Sequence, residues 1–290
     1  MTVNVVNGLL KAEQQWSNQP QRETVTRLLI LNLMPNKLTT ERQFLNRLAT
    51  LTDDELEVTF MYPTTHQFKS LPRQLVADNY VSLADVADDH YDGLIVTGAP
   101  VEQLAFEDVD YWDEFQEIVD WAQTHVTQIL FECWAAQAAL YDQFKIKKQL
   151  VAQKVFGIYQ ATTVAPQSRL VSGLSTGGLL KMPQSRHTRL MLPTTLPNDL
   201  QIVAANSEIG PLILTAPGQK SVYVTGHPEY EVDTLANEYF RDRRKQLPIK
   251  RPAHYFVDQS GQQIRYSWKT ASCQFYQNWI DTLKLTKVGL

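Results

Sequence analysis

Apolar positions along the chain cluster into short runs that alternate with amphipathic stretches. "RLLILNL" (27–33) is a continuous apolar run of strand length ending at "MPNK". The segment after it carries Leu38, Phe44, Leu45, Leu48 and Leu51, mostly at helical spacing. "ELEVTFMY" (55–62) alternates as a second strand, and "YDGLIVTGAP" (91–100) is a third, stopped by Gly98 and Pro100. In "VDYWDEFQEIVDWAQTHV" (109–126), Trp112, Phe115, Ile118, Val119 and Ala122 form one apolar stripe of a long helix. "TQILFE" (127–132) is a fourth strand, and the alanine-rich "WAAQAALYDQF" after it is a good helix former. Strands that are apolar throughout and alternate with helices predict an α/β fold. Its sheet is expected to be mostly parallel, with helices on both faces.

Residues 1–26 are polar and weakly patterned, and "SNQPQRET" reads as a loop or loosely attached arm. Residues 150–225 hold several short strand-like pieces separated by glycine, proline and serine, a strand-rich elaboration read as an antiparallel or mixed extension of the same sheet. Helices are expected near 231–245 and 270–285. The pattern implies an N-terminal arm (1–26) followed by a single α/β domain (27–290).

Composition narrows the partners. The 290 residues are 43% hydrophobic and 20% charged, with a formal net charge of −4. The one basic run, "RDRRKQLPIKR" (241–251), reads as a solvated helix end, so no nucleic-acid partner is expected. Two cysteines far apart in sequence make no disulfide framework. No secretory h-region opens the chain, and no apolar run approaches the ~18–20 residues of a membrane span. A cytoplasmic protein with reduced thiols is expected.

In an open α/β sheet, ligands bind beyond the carboxyl ends of the strands. Three loops follow apolar strands and qualify: "TGAPVE" (97–102), "ECWA" (132–135) and "TGHPEYE" (225–231). Together they supply a thiol (Cys133), an imidazole (His227) and a carboxylate (Glu229). An ordinary cysteine, with pKa about 8.5, is a weak nucleophile at neutral pH. A helix N-terminus and a neighbouring histidine are the usual means of activating one. Glu229 would orient the imidazole, and the amide of Trp134, with one from the 98–102 turn, would form an oxyanion hole. Free cysteine is also a common core residue, so on residues alone a nucleophile and a packed thiol both stand. Cys273, on an amphipathic helix without a partner motif, reads as structural. No His/Cys/Asp cluster has ligand spacing, so neither a metal nor a redox cofactor is expected.

"LILNLMPNKLTTERQFLNRL", "YDGLIVTGAPVEQLAFEDVDYW", "LFECWAAQAAL", "VTGHPEYEVDTLANEYFRD" and "FYQNWIDTL" together resemble the homoserine O-acyltransferases, the family usually called homoserine trans-succinylase. The resemblance runs from about residue 27 to the C-terminus. It implies a class I glutamine amidotransferase-like fold and a ping-pong acyl transfer. In that reaction Cys133 takes the acyl group from an acyl-CoA co-substrate as a thioester, His227 is the base and Glu229 completes the triad. It further implies Lys154, Ser185 and Arg241 as contacts for a small amino-acid substrate, with Lys37 nearby, and a homodimer by analogy.

In that family the residue two after "GAP" discriminates acyl groups, glycine going with succinyl and glutamate with acetyl. Here it is Glu102, whose charge would repel a succinyl carboxylate, so acetyl-CoA is the expected donor. Other stretches depart from the family. "YQATT" follows Lys154 where a "YEHH"-like run is usual, Gln184 replaces a histidine before Ser185, and "GLSTGG" replaces a "GFDD"-like turn. These changes surround the acceptor pocket and tip the expectation to L-serine, with O-acetylserine feeding cysteine biosynthesis. L-Homoserine, in methionine biosynthesis, is the alternative; the two differ by one methylene, worth ~1–3 kcal/mol. Glutaminase chemistry on the same fold usually sets its cysteine in a G-x-C-x-G elbow. Phe131 and Ala135 hold those glycine positions here.

Overall fold

The computed structural model describes residues 2–18, 25–51, 55–175, 177 and 179–288. Its core is a nine-stranded sheet. The strands are β1 (Thr2–Val5), β2 (Thr26–Leu31), β3 (Glu55–Met61), β4 (Tyr91–Val96), β5 (Val126–Glu132), β7 (Thr163–Val164), β9 (Gln201–Asn206), β10 (Gly210–Ala216) and β11 (Ser221–Val224). They are ordered β1-β3-β2-β4-β5-β11-β10-β9-β7. From β1 to β11 every neighbouring pair is parallel, and beyond β11 every pair is antiparallel.

The parallel strands read as unbroken apolar runs because both of their faces are buried. Leu28 and Ile30 point into one core with Phe44 and Leu48 of α2 (Lys37–Leu48) and Tyr276 and Trp279 of α7 (Lys269–Val288). Leu29 and Leu31, one residue out of phase, point into the other. There they meet Phe115 and Ile118 of α4 (Trp112–His125) and the alanines of α5 (Trp134–Phe144). Each such side chain, fully buried, stabilises the fold by about 1.5–3 kcal/mol. The apolar stripe expected on 109–126 is the buried face of α4.

Two expectations change. Residues 2–5 are not part of a loose arm: β1 pairs with β3, and Val3, Val5, Leu9 and Leu10 are buried, the leucines in the short helix α1 (Leu9–Ala12). Four residues are too few to show a period, so only the pairing reveals this strand. Residues 19–24 of "SNQPQRET" lie outside the described residues. The strand-like pieces of 150–225 also divide. β7, β9 and β10 extend the main sheet, whereas β6 (Lys148–Gln160) and β8 (Lys181–Leu190) form a separate two-stranded antiparallel ribbon. Exposed Gln149, Leu150 and Gln153 leave the first half of β6 without a second buried face. Its second half docks Phe156 and Ile158 on Tyr230, Leu235, Tyr255 and Trp268. Gly157 makes that docking feasible: its φ is +140°, and a Cβ there would lie 2.4 Å from the backbone of Ala253. The helices expected near the C-terminus are α6 (Thr234–Arg244) and α7. The remaining helix, α3 (Arg73–Ala77), is a short connector.

Candidate active site

β5 and β11 are parallel neighbours, with Glu132 registered opposite Val224. Their adjacent carboxyl ends therefore launch the two loops that carry Cys133 and His227. Cys133 occupies a sharp turn between β5 and α5, with φ +50° and ψ −111°. A non-glycine residue in that region is strained by about 1–3 kcal/mol. The turn is pinned by the Cys133 N–H, which donates to the Val224 carbonyl at 2.7 Å. Buried Ala135, Ala136, Ala138 and Ala139 let α5 pack tightly beneath it.

Cys133 is buried, but not in an apolar pocket. The His227 imidazole lies beside its sulfur, both flanking Gly98, and His227 Nδ1 lies 2.7 Å from Glu229 Oε1, both side chains being buried. Nδ1–H donating to the carboxylate leaves Nε2 for the sulfur. Burial lowers the imidazole's proton affinity. The charge of the adjacent sulfur, with that of Glu238, outweighs this and holds it above its ordinary value. Tyr230 stacks on the ring, centroids 4.1 Å apart, and limits its rotation. Gly98 closes the other side. A Cβ there would sit 3.1 Å from His227 Cε1 and 3.2 Å from Cys133 Cβ, so any larger residue after β4 would press on the pair. Trp134 is the first residue of α5, where backbone N–H groups have no carbonyl one turn back.

The substrate-contact candidates gather around a residue that the sequence reading did not single out. Glu238 of α6 accepts from Ser185 Oγ (2.6 Å) and Lys154 Nζ (3.1 Å) through Oε2, and from Tyr230 OH (2.9 Å) through Oε1. Arg241, one turn further along α6, is half exposed and pairs with Asp242 at 2.6 Å. Its neighbour "NE" in "NEYFRD" was the available signal, because positions i and i+3 share a helix face. Lys37 is buried at the start of α2, donates to the Asn32 carbonyl and lies over the Phe68 ring. Burial, partly offset by Glu41, lowers its ammonium to about 7.

Glu102 accepts the His187 N–H at 3.1 Å. Two cations feel its charge: Arg186 of β8, which is buried, and Lys148 of β6. Lys148 Nζ is buried without a hydrogen-bond partner and sits 4.2 Å from the Phe106 ring centre. A cavity of about 680 Å³ lies between the β6–β8 ribbon and β10, bordered by Gln137 of α5, Arg186, Gly210, and Thr225 after β11.

Over residues 7–287 the chain matches the family model described as homoserine O-succinyltransferase. It is 41% identical over 257 residues to a homoserine O-acetyltransferase of Lactococcus lactis subsp. cremoris (strain MG1363), covering 88% of this chain and 79% of that protein. The homoserine O-acetyltransferase of Bacillus subtilis (strain 168) is 37% identical over 257 residues, covering 88% and 84%. Among solved structures, a glutamine amidotransferase of Thermotoga maritima superposes with a TM-score of 0.55 at 12% identity, covering 90% of this chain and 99% of that one. That last likeness is one of fold.

Proposed function

Since the chain belongs to the homoserine O-succinyltransferase family, we propose that it is an amino-acid O-acetyltransferase moving an acetyl group from acetyl-CoA to the side-chain hydroxyl of L-homoserine. The observation that carries this reading is Cys133 on a strained turn, set beside an imidazole that Glu229 orients. The acceptor reverses the preference for serine drawn from residues around the pocket. The relatives named above are homoserine O-acetyltransferases, and one methylene is too small a difference for those substitutions to decide.

The reaction runs in two halves. The Cys133 sulfur attacks the thioester carbonyl of acetyl-CoA while His227 holds the thiol proton. The oxyanion is met by the Trp134 amide and one from the 98–102 turn. The tetrahedral adduct collapses, CoA leaves as the thiol with the proton from His227, and Cys133 keeps the acetyl group. His227 then takes the proton of the acceptor hydroxyl, whose oxygen attacks the new thioester and releases the Cys133 sulfur. Exchanging one thioester for another changes bond energies little, so positioning and charge stabilisation supply the rate.

The cavity beside Gln137 and Arg186 suits the donor's thiol arm. Lys154, Ser185 and Arg241 are assigned to the amino acid's carboxylate, and Glu238 to its ammonium group. Glu102 fills the place a longer, anionic acyl group would need. Intact-mass analysis after mixing protein with acetyl-CoA alone tests the covalent step: one added acetyl on Cys133 is expected, and none would overturn it. Turnover with homoserine and serine side by side, and with acetyl-CoA and succinyl-CoA, tests the choice of substrates.

A further inference from the structure

Glu132, the last residue of β5, is completely buried. Tyr276 of α7 donates its hydroxyl to Glu132 Oε1 at 2.5 Å. Oε2 is buried with no donor to accept from, and the same holds for Oε2 of Glu229. Yet the two carboxyl groups lie close enough to act directly on each other. Two neighbouring buried carboxyl groups, each with an oxygen short of a donor, are reconciled by one proton between them.

The surroundings decide which residue holds it. Glu229 faces His227 through Oε1 and feels the charge of Arg47 from α2. The other hydrogen-bond partner of Glu132 is a neutral hydroxyl. Negative charge is therefore best placed on Glu229 and the proton on Glu132. We propose that Glu132 is held as the neutral acid, donating from Oε2 to Oε2 of Glu229, and so acts as a positioning residue for the imidazole of His227. Each oxygen of Glu229 then has a donor, one the imidazole and one the acid. The carboxylate cannot rotate away from His227 without losing a charge-assisted hydrogen bond. Tyr276 extends the same chain to α7, which ties the site to the helix behind the sheet. One shared proton also limits the buried negative charge that faces Arg47. Burial and the charge of Glu229 push the Glu132 carboxyl well above the usual carboxylate range, in keeping with this assignment.

The role rests on His227 serving Cys133, as proposed above, but the protonation state is testable without turnover. The charged and titratable groups facing the pair are His227, Glu238, Arg47, Tyr230 and Tyr276, with Cys133 beyond the imidazole. The infrared difference spectrum between wild type and Glu132→Gln at neutral pH is expected to show the carbonyl stretch of a protonated carboxyl in wild type. Site-resolved alkylation of Cys133, followed by mass spectrometry, reads the positioning. Glutamine still donates to Glu229, so Glu132→Gln should alkylate within about threefold of wild type. Glu132→Leu removes the donor and should slow alkylation about tenfold or more, the worth of a hydrogen bond to a charged group. Absence of the band in wild type, or a fall in Glu132→Gln as deep as in Glu132→Leu, overturns the proposal. If Glu132→Leu does not fold, the band still decides. Failure of the wild-type protein to transfer acetyl leaves the band untouched, so the two readings fail separately.

Discussion

The backbone N–H of Cys133 donates to the Val224 carbonyl at 2.7 Å, joining the turn after β5 to the last residue of β11. This bond places the thiol three residues from His227 in the neighbouring strand's loop, although the two are nearly a hundred positions apart in sequence. The pairing of the site is thus a consequence of strand register. Anything that shifts β11 against β5 separates sulfur from imidazole.

The backbone at Cys133 carries a first expectation. At φ +50° and ψ −111° glycine is at ease and alanine is not. Cys133→Ala and Cys133→Gly should both lose turnover. Cys133→Gly should nevertheless be the more stable of the two, by about 1 kcal/mol. That reverses the order these residues show in a helix. Thermal melts of the two variants check it; an alanine variant that melts later would mean the turn relaxes without cost.

Donor choice is the second. Glu102 sits against the His187 N–H and within the field of Arg186 and Lys148. Burial, opposed by Glu102 and Glu107, already lowers the Lys148 ammonium to about 8. Glu102→Gly leaves these cations facing an empty space of acyl size. kcat/KM for succinyl-CoA should rise at least about tenfold, because juxtaposed like charges cost several kcal/mol. An unchanged ratio of succinyl-CoA to acetyl-CoA would remove Glu102 from donor selection.

The acceptor subsite gives a third. Glu238 gathers Lys154, Ser185 and Tyr230 around one carboxylate. Glu238→Gln and Lys154→Met should raise KM for the amino acid about tenfold, one charge-assisted hydrogen bond being worth ~1.5–3 kcal/mol. Formation of the acetyl-enzyme should change far less. Equal losses in both half-reactions would assign these residues to folding instead.

The buried acid next to the thiol predicts how stability depends on pH. An unfolded glutamate ionises near pH ~4.3, whereas burial holds Glu132 well above that value in the folded protein. Between the two values the folded state holds a proton that the unfolded state has released. Raising the pH therefore costs stability, by up to ~1.4 kcal/mol per pH unit. Glutamine has no such proton. The melting temperature of Glu132→Gln minus that of wild type should climb steadily from pH 5 to pH 8. His227, raised chiefly by the Cys133 sulfur, and Glu229, raised by burial to about 8, lose stability with rising pH in both proteins, so the difference reads mainly the Glu132 proton. Parallel pH curves would show that Glu132 carries no proton.

Much of this architecture is written in local pattern. The runs at 27–33, 91–96 and 127–132 are apolar on both faces because they are central parallel strands, and the stripe from Trp112 to Ala122 is periodic because one face of α4 is buried. Cys133, His227 and Glu229 were visible as residue types at strand ends, where such sheets keep their chemistry. Pattern could not show that Thr2–Val5 completes the sheet edge, or that β6 and β8 leave the sheet as a ribbon. Those outcomes depend on hydrogen-bond partners distant in sequence, which hydrophobic period does not encode. Nor could it reveal Glu238, Tyr276 or the proton shared by Glu132 and Glu229. Each takes its role from neighbours that folding brings together from distant parts of the chain, and a carboxylate's charge state belongs to that neighbourhood, not to its place in the chain.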